Sequence, residues 1–261
     1  MSELDAQNTA GAGPERVPPH TPLPQYYDTD PKRSRYVIDL FDRTAQHYDT
    51  IEMLFLNGGI WYRRFSLRRA GLRRGMKVLD VAMGTAAVAR GASQIVGPEG
   101  RVIGVDPSRG MIRAARKNFQ GPVSQGFAEH LPIAGDRFDF VTMGIALRHV
   151  SDLLATFQEY LRVLKPGGTL WILEGHVPTS RLGHQLTRFM WAKVIPGMTL
   201  VSTRSRDAKV LMDFYWDTVE KCVPPQTIVQ SISDAGFEQA RYKVVLPGAF
   251  CEYTARKPLP D

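Results

Sequence analysis

The chain has 261 residues, 43% hydrophobic and 23% charged, with two cysteines, Cys222 and Cys251. This suits one large domain, or one domain with an appendage, and excludes a wholly disordered chain, a collagen-like repeat and a disulfide-stapled mini-protein. The net charge of +7, from 33 basic and 26 acidic residues, permits attraction to nucleic acid, anionic lipid or acidic ligands and selects none of them.

No apolar run reaches the roughly 18–20 residues of a membrane span, and the amino-terminal region lacks a hydrophobic signal core. A cytoplasmic protein that does not cross a membrane is expected. Residues 1–30 are rich in Pro, Gly, Asp and Thr, have no periodic apolar face, and are expected to form a disordered or loosely docked tail. Next, Val37, Leu40, Phe41, Ala45 and Tyr48 recur at helical spacing, so residues 31–75 are expected to form a helical cap. Asn57-Gly58-Gly59 is expected to break the cap into two helices. The second carries Arg63, Arg64, Arg68, Arg69, Arg73 and Arg74 within twelve acid-free residues. Two readings of segment 63–74 stand: a solvated helix face, or a peripheral contact with a membrane surface or phosphates. The arginines do not segregate from Trp61, Phe65 and Leu72, which weakens the membrane-helix case.

From Lys77 the pattern changes. VLDVA at 78–82 is a short apolar run, expected as a buried strand, and it enters the small-residue turn MGTAA. A helix at 86–95 closes on Gly97-Pro98-Glu99-Gly100. RVIGVD at 101–106 is the next strand and ends in an acid, and 108–119 is the next helix. FDFVTM at 138–143 is a strand. Ser151 is placed to cap a helix whose Leu153, Leu154, Phe157, Leu161 and Leu164 share a face. Lys165-Pro166-Gly167-Gly168 stops that helix before the strand TLWILE at 169–174. Residues 182–198 are mainly helical, within a region of inserted helices around 180–220. A short helix at 226–235 ends at Gly236. The apolar stretches 239–246 and 250–255, joined by Pro247-Gly248, suggest a closing hairpin. Strands alternating with helices of this length imply an α/β, doubly wound parallel sheet, with the hairpin setting the last strand antiparallel.

The strand–turn–helix at 78–92, with an acid ending the next strand, is the dinucleotide-fold arrangement. Small residues let the backbone approach a ligand, the helix amino end attracts an anionic group, and the acid accepts from two ribose hydroxyls. Gly84 and Asp106 are 22 residues apart, close to the ~20 such sites use. Only one of three nominal turn glycines is present, so the motif alone fits a nicotinamide or an adenosylmethionine enzyme.

The segments FDRTAQHYDTIEMLFLNGGIWYRR, VLDVAMGTA, VIGVDPSRGM, AEHLPIAGDRFDFVTMGIALRHV, RVLKPGGTLWILE and ISDAGFEQARYKVV follow in this order, between about Val37 and Lys257. Together they resemble the class I adenosylmethionine-dependent methyltransferases, and more closely the ubiquinone/menaquinone-biosynthesis C-methyltransferase family of UbiE type. RVLKPGG and the LPI-x4-FD spacing mark the class. The head with Phe41, Tyr48, Gly59 and Trp61, and the ALRHV segment, are more specific to the family. The resemblance implies a Rossmann-like seven-stranded mixed sheet with the last strand antiparallel and an N-terminal helical extension. The cofactor domain then spans 76–261.

The resemblance also implies S-adenosyl-L-methionine as cofactor. Asp80 and the turn Ala82, Met83, Gly84, Thr85 and Ala86 would line its methionine part, and Asp106 would take the ribose hydroxyls, with Pro107 and Met111 beside it. Phe127 and Ala128 would flank the adenine, and Gly144 follows the fourth strand. Met83 and Ala86 replace residues usually smaller in the family, and His149 stands where the quinone enzymes usually carry Asn after Leu-Arg.

Arg148 and His149 follow the fourth strand at the sheet edge where ligands bind. His149 is a candidate general base or acceptor contact, with a structural histidine as the alternative. Arg148 is a candidate for stabilising developing phenolate charge. Tyr48 and Trp61 are candidate walls of an aromatic pocket, or core residues, and Glu174 is expected to be structural. The function expected is methyl transfer to a small or prenylated aromatic acceptor, first on carbon of a quinol-type ring. The alternative is oxygen or nitrogen methylation of a specialised metabolite. A nicotinamide oxidoreductase leaves RVLKPGG and LPI-x4-FD unexplained, and a non-catalytic adenosylmethionine-binding protein is the rival raised by the eroded glycine turn. No metal and no stable nucleic-acid partner are implied, and nothing in the sequence sets the oligomeric state.

Overall fold

Short apolar runs whose side chains alternate between two faces build a seven-stranded sheet. They are β1 (Lys77–Val81), β2 (Arg101–Asp106), β3 (Val123–Gln125), β4 (Phe138–Gly144), β5 (Leu164–Gly175), β6 (Glu238–Val245) and β7 (Phe250–Arg256). In the computed structural model, which describes residues 16–245 and 249–260, their order is β3-β2-β1-β4-β5-β7-β6. β1 to β5 run parallel, and β7 is antiparallel to both β5 and β6. The expected hairpin strands are present, while its Pro247-Gly248 turn lies outside the described residues.

The two faces of the sheet pack against different helices. Val78, Phe140, Trp171 and Leu173 belong to one core with α2 (Ala87–Val96) and α7 (Arg206–Glu220). Leu79, Val141, Leu170 and Ile172 belong to another with α4 (Leu153–Val163) and α8 (Pro225–Asp234). This two-residue alternation follows from the pleat. The register sets Val81 beside Val105 and Met143, so β1, β2 and β4 end at one edge. The chain leaves β1 for β2 on one side and returns to β4 on the other. That is a topological switch point, where a crevice opens at the carboxyl ends of the strands. β3 escaped the sequence reading because Val-Ser-Gln has no apolar run; it pairs only from Gly104↔Val123 to Asp106↔Gln125. β5 begins at Leu164, ahead of the expected Thr169, through an irregular stretch of pairing with β4.

The helical cap departs from expectation. Asn57-Gly58-Gly59 does not break it: α1 is one helix, Asp30–Arg69, of 40 residues. Each helical glycine costs roughly 1 kcal/mol relative to alanine, and anchors on both sides offset this. Asp42 Oδ1 accepts from Ser108 Oγ (2.5 Å) and Gly110 N (2.7 Å), at the start of α3 (Arg109–Ala115). A Cβ at Gly110 would lie 2.7 Å from the Asp42 carbonyl oxygen, so this close approach requires glycine. Toward the other end, Glu252 of β7 accepts from Tyr62 Oη (2.7 Å), Arg69 (2.8 Å) and Ser66. Asp152, not Ser151, caps α4, accepting from Leu154 N at 2.9 Å. Ser151 instead bonds Glu129.

The expected loose tail is docked from residue 16 onward, and residues 1–15 lie outside the described set. Leu153 N donates to Val17 O (2.9 Å) and Val223 N to Pro19 O (2.8 Å), with a backbone bridge between His20 and Cys222. Leu23 and Tyr27 are buried, and Tyr26 Oη donates to Asp217 (2.7 Å). Composition concealed this because the anchors are backbone groups and isolated apolar residues, which have no period. Deletion of residues 1–21 should therefore destabilise by about 2 kcal/mol, a fall in Tm of about 4–8 °C for a chain of this size. Thermal melting of the truncated chain checks this, and an unchanged Tm would refute the docking.

Candidate functional site

The crevice at the ends of β1, β2 and β4 opens into a cavity whose free space, with the open solvent it meets included, is about 1080 Å³. Its floor is the turn after β1. Ala82, Gly84 and Ala86 all have left-handed backbone, with φ of 51°, 54° and 71°. The alternating positions of a three-glycine turn thus keep their conformation while two of them carry a methyl group. Met83 does not fill the cavity. Its side chain folds over Gly104 of β2, where a Cβ would lie 2.0 Å from the sulfur. The large residue is accommodated by the missing side chain beneath it.

Asp106 ends β2 beside the turn. Its Oδ2 accepts from Gly84 N and its Oδ1 from Ser108 N, both at 2.8 Å. Burial pushes its carboxyl up to about 6, against the pull of those two N–H groups. Asp80 on β1 accepts from Thr142 Oγ1 at 2.7 Å through Oδ1, and burial raises it to about 7. Its Oδ2 is buried with no partner among the described residues, and so is Thr85 Oγ1. Pro107, Met111, Phe127, Ala128 and Gly144 complete the walls. Phe127 is half exposed at the rim. At Gly144 a Cβ would meet Val88 at 2.8 Å, so glycine lets α2 sit close.

Beyond Gly144 a 3-10 turn, Leu147–His149, carries the two residues read as catalytic, and the structure separates them. Arg148 is turned away from the cavity. Its guanidinium pairs with Glu174 Oε1 (2.7 Å), with the two side chains 3% and 1% exposed. Its remaining bonds go to Thr218 Oγ1 (3.0 Å) and Ile145 O (2.9 Å), and Tyr215 lies under it at 4.5 Å. The reading of Arg148 as an acceptor contact is corrected, because its hydrogen-bonding edge is spent inside the fold. Glu174 is structural, as expected.

His149 does line the cavity. The ring stacks on Phe214 (5.4 Å, 15°) and meets the edge of Phe41 (5.4 Å, 72°). Neither ring nitrogen has a partner among the described residues. Burial, then the charges of Arg148 and Arg33, hold its pKa well below the ordinary imidazole value. The imidazole is neutral at pH 7 and poorly able to keep a proton.

From α1, Tyr48 faces the same cavity, its phenol pushed up to about 12 by burial. Trp61 does not: it is 80% exposed on the outer face of α1, and its reading as a pocket wall is corrected. The helix is unbroken, so position 61 points outward while 48, 52 and 63 point in. Among the pocket residues that sequence reasoning missed are Glu52 and Arg63, a buried ion pair. The arginine-rich segment is accordingly not one solvated face. Arg63 turns inward, Arg69 holds Glu252 and Arg74 pairs with Glu99.

The model of the ubiE/COQ5 methyltransferase family matches residues 29–257. A ubiquinone/menaquinone biosynthesis C-methyltransferase UbiE of Shewanella halifaxensis is 33% identical over 226 residues, covering 83% of this chain and 88% of that protein. The protein of the same name from Saccharophagus degradans is 31% identical over 235 residues, covering 87% and 93%. Among solved structures, an adenosylmethionine-dependent methyltransferase of Thermotoga maritima, titled a possible histamine N-methyltransferase, matches with a TM-score of 0.59. It is 20% identical, with 84% of this chain and 99% of that one covered, and shares the fold.

The turn stores strain that glycine would release. A left-handed alanine costs about 1–2 kcal/mol, and the extra freedom of an unfolded glycine takes back about 0.4–1. At Ala86, which is fully buried, loss of the methyl cancels the remainder. At half-buried Ala82 it does not. Ala82→Gly should raise Tm by about 1–3 °C, whereas β-branched Ala82→Val should lower it. Thermal melting decides, and a lower Tm for Ala82→Gly would refute stored strain.

Proposed function

The chain belongs to the ubiE/COQ5 methyltransferase family, and on that premise we propose that its cavity brings S-adenosyl-L-methionine against a ring carbon of a quinol-type acceptor. It is an adenosylmethionine-dependent methyltransferase. The single observation behind the residue assignment is the set of buried, unpartnered polar atoms facing one cavity: Asp80 Oδ2, Thr85 Oγ1 and both nitrogens of His149. Buried polar groups are ordinarily paired, so this set fits a polar ligand.

The residues present suit the cofactor. Asp106, oriented by Gly84 N and Ser108 N, keeps lone pairs for two ribose hydroxyls. Asp80 offers a carboxylate oxygen to an ammonium group. Phe127 and Ala128 supply apolar surface for the adenine, and the backbone of 82–86 allows close approach. When bound, adenosylmethionine supplies a methyl already activated by positively charged sulfur, so the protein's task is alignment and exclusion of water.

On the acceptor side, neutral His149 accepts a hydrogen bond from a ring hydroxyl and so fixes the ring's orientation. Its depressed basicity assigns it positioning rather than holding the proton. Tyr48, protonated across the physiological range, donates to ring oxygen as negative charge develops there. In the net reaction a sulfur–carbon bond breaks, a carbon–carbon bond forms, and the displaced ring proton passes to solvent. Incubation with a reduced 1,4-naphthoquinol carrying a free ring position tests the reading by mass spectrometry. A methyl on carbon supports it, and a methyl on oxygen alone refutes it.

Two further outcomes are expected. In the ligand-free protein Asp106 and Asp80 titrate near 6 and 7, and both must ionise to bind the cofactor. Affinity should therefore rise from about pH 5 to 8 and level off above. Calorimetry at pH 6.5 in buffers of different ionisation heat should record net proton release, reduced in Asp106→Asn, which should also bind at least tenfold more weakly. Both carboxyls are raised above unfolded values, so their contribution to free-protein stability is present below about pH 4 and lost as pH climbs through 6–7. Absence of proton release would remove this assignment.

For His149, the parent's pH profile of kcat with adenosylmethionine saturating throughout, where titration of Asp80 and Asp106 no longer shows, should have no limb at the imidazole's ordinary ~6.5. His149→Asn should keep most of kcat and raise KM, while His149→Ala should lose about 10–100-fold in kcat/KM. A limb near 6.5 that disappears in both variants would instead make it the base.

A further inference from the structure

The cavity has one lasting positive charge among its described lining residues, Arg63. It is 4% exposed, contributed by α1, and ion-paired with Glu52, itself 6% exposed. The pairing leaves a donor over: Arg63 Nε is buried with no hydrogen-bond partner among the described residues. A buried guanidinium edge with nothing to bond is costly, and here it belongs to a residue lining the cavity. Arg63 is also close enough to Asp80 for its charge to act on that carboxyl. One wall thus combines a cation with a free donor and an anion with a free acceptor, Asp80 Oδ2. The complement is a zwitterion, an ammonium and a carboxylate on one carbon.

We propose that Arg63 binds the α-carboxylate of S-adenosyl-L-methionine through its open Nε edge, and that Glu52 is the internal carboxylate that holds the guanidinium at Nη1 and neutralises it. This rests on the reading of the cavity as the cofactor site. Residues 52 and 63 are eleven apart, three turns to within about 20°, so they share the face of α1 that lines the cavity, and their ion pair bridges the span between them. Glu52 occupies one nitrogen, Nη1, and leaves the Nε edge open, whereas a free carboxylate can take a planar guanidinium edge with two parallel bonds. Glu52 keeps the buried cation neutralised, so the charge needed for binding does not unfold the cap. A nucleoside lacking a carboxylate gains nothing from Arg63.

The test is equilibrium binding, with calorimetry of adenosylmethionine and of decarboxylated adenosylmethionine, which differ only in the carboxylate. The parent should prefer the former by about ten- to hundredfold. Glu52→Gln, which removes a negative charge beside the ligand's carboxylate, should tighten adenosylmethionine severalfold and leave the decarboxylated ligand within about threefold. Arg63→Met combined with Glu52→Leu removes both charges together, a replacement buried pairs tolerate better than loss of one partner. It should erase the preference between the two ligands. Equal affinities in the parent, or a preference that survives in the double variant, overturn the assignment of Arg63. Weaker adenosylmethionine binding by Glu52→Gln overturns the role given to Glu52. Should the double variant not fold, the parent preference and Glu52→Gln still decide. Failure of the parent to bind either ligand would strike the cofactor reading itself, a distinguishable result.

Discussion

The pairing of Arg148 with Glu174 joins four parts of the molecule at the point where they surround the cavity. Glu174 sits near the end of β5, Arg148 on the turn after β4, Thr218 on α7, and Arg33 of α1 donates to the carbonyls of Arg148 and Val150 at 3.0 and 2.6 Å. Glu174 also accepts from Arg148 N (3.1 Å) and Gly175 N (2.7 Å). Two desolvated charges of this kind stabilise little in total, but loss of either partner alone leaves an uncompensated charge at a cost of several kcal/mol. Their value here is geometric. With the neighbouring guanidinium fixed, His149 has one direction to face, between Phe41 and Phe214. Arg148 acts on the acceptor site only through that placement and through its positive charge on His149.

Burial sets much of the chemistry of the pocket. It discourages protonation of His149, with Arg148 and Arg33 adding to the effect, and it keeps the Asp80 and Asp106 carboxyls high. These three groups therefore favour their neutral forms, and ionisation of the two acids is coupled to arrival of a ligand that bonds to them. Strain runs the same way: the left-handed alanines hold the turn open at a cost that the surrounding sheet sustains.

Much of this was legible in the residues, and what was not has identifiable causes. The alternation of apolar strands with helices, the acid ending β2 and the small-residue turn are local patterns, and the parallel sheet and crevice follow from them. The glycines at 58 and 59 misled because propensity is a local quantity, whereas the helix is held by Asp42 and Glu252 far from them in sequence. That single misjudgement hid a second feature. With the helix broken, Glu52 and Arg63 have no fixed relation; with it continuous, they share a face, and Trp61 points out. Arg148 was misplaced for another reason: adjacency to His149 says nothing about direction, and its partner Glu174 lies 26 residues away. The docking of residues 16–29 depends on backbone bonds, which any composition can make.

The clamps on α1 have an evolutionary consequence. The helix is fastened by Asp42 on the nucleotide side and by Tyr62, Ser66 and Arg69 on β7, and the span between them faces the acceptor side of the cavity at Tyr48. Substitutions around Tyr48, Glu52 apart, change the shape offered to an acceptor without entering the sheet, the turn or the cofactor's side of the cavity. Such a bridge, pinned at its piers and replaceable along its deck, lets a lineage diversify in what it methylates while its cofactor machinery stands unchanged. Libraries confined to the deck are where new acceptor ranges are to be sought.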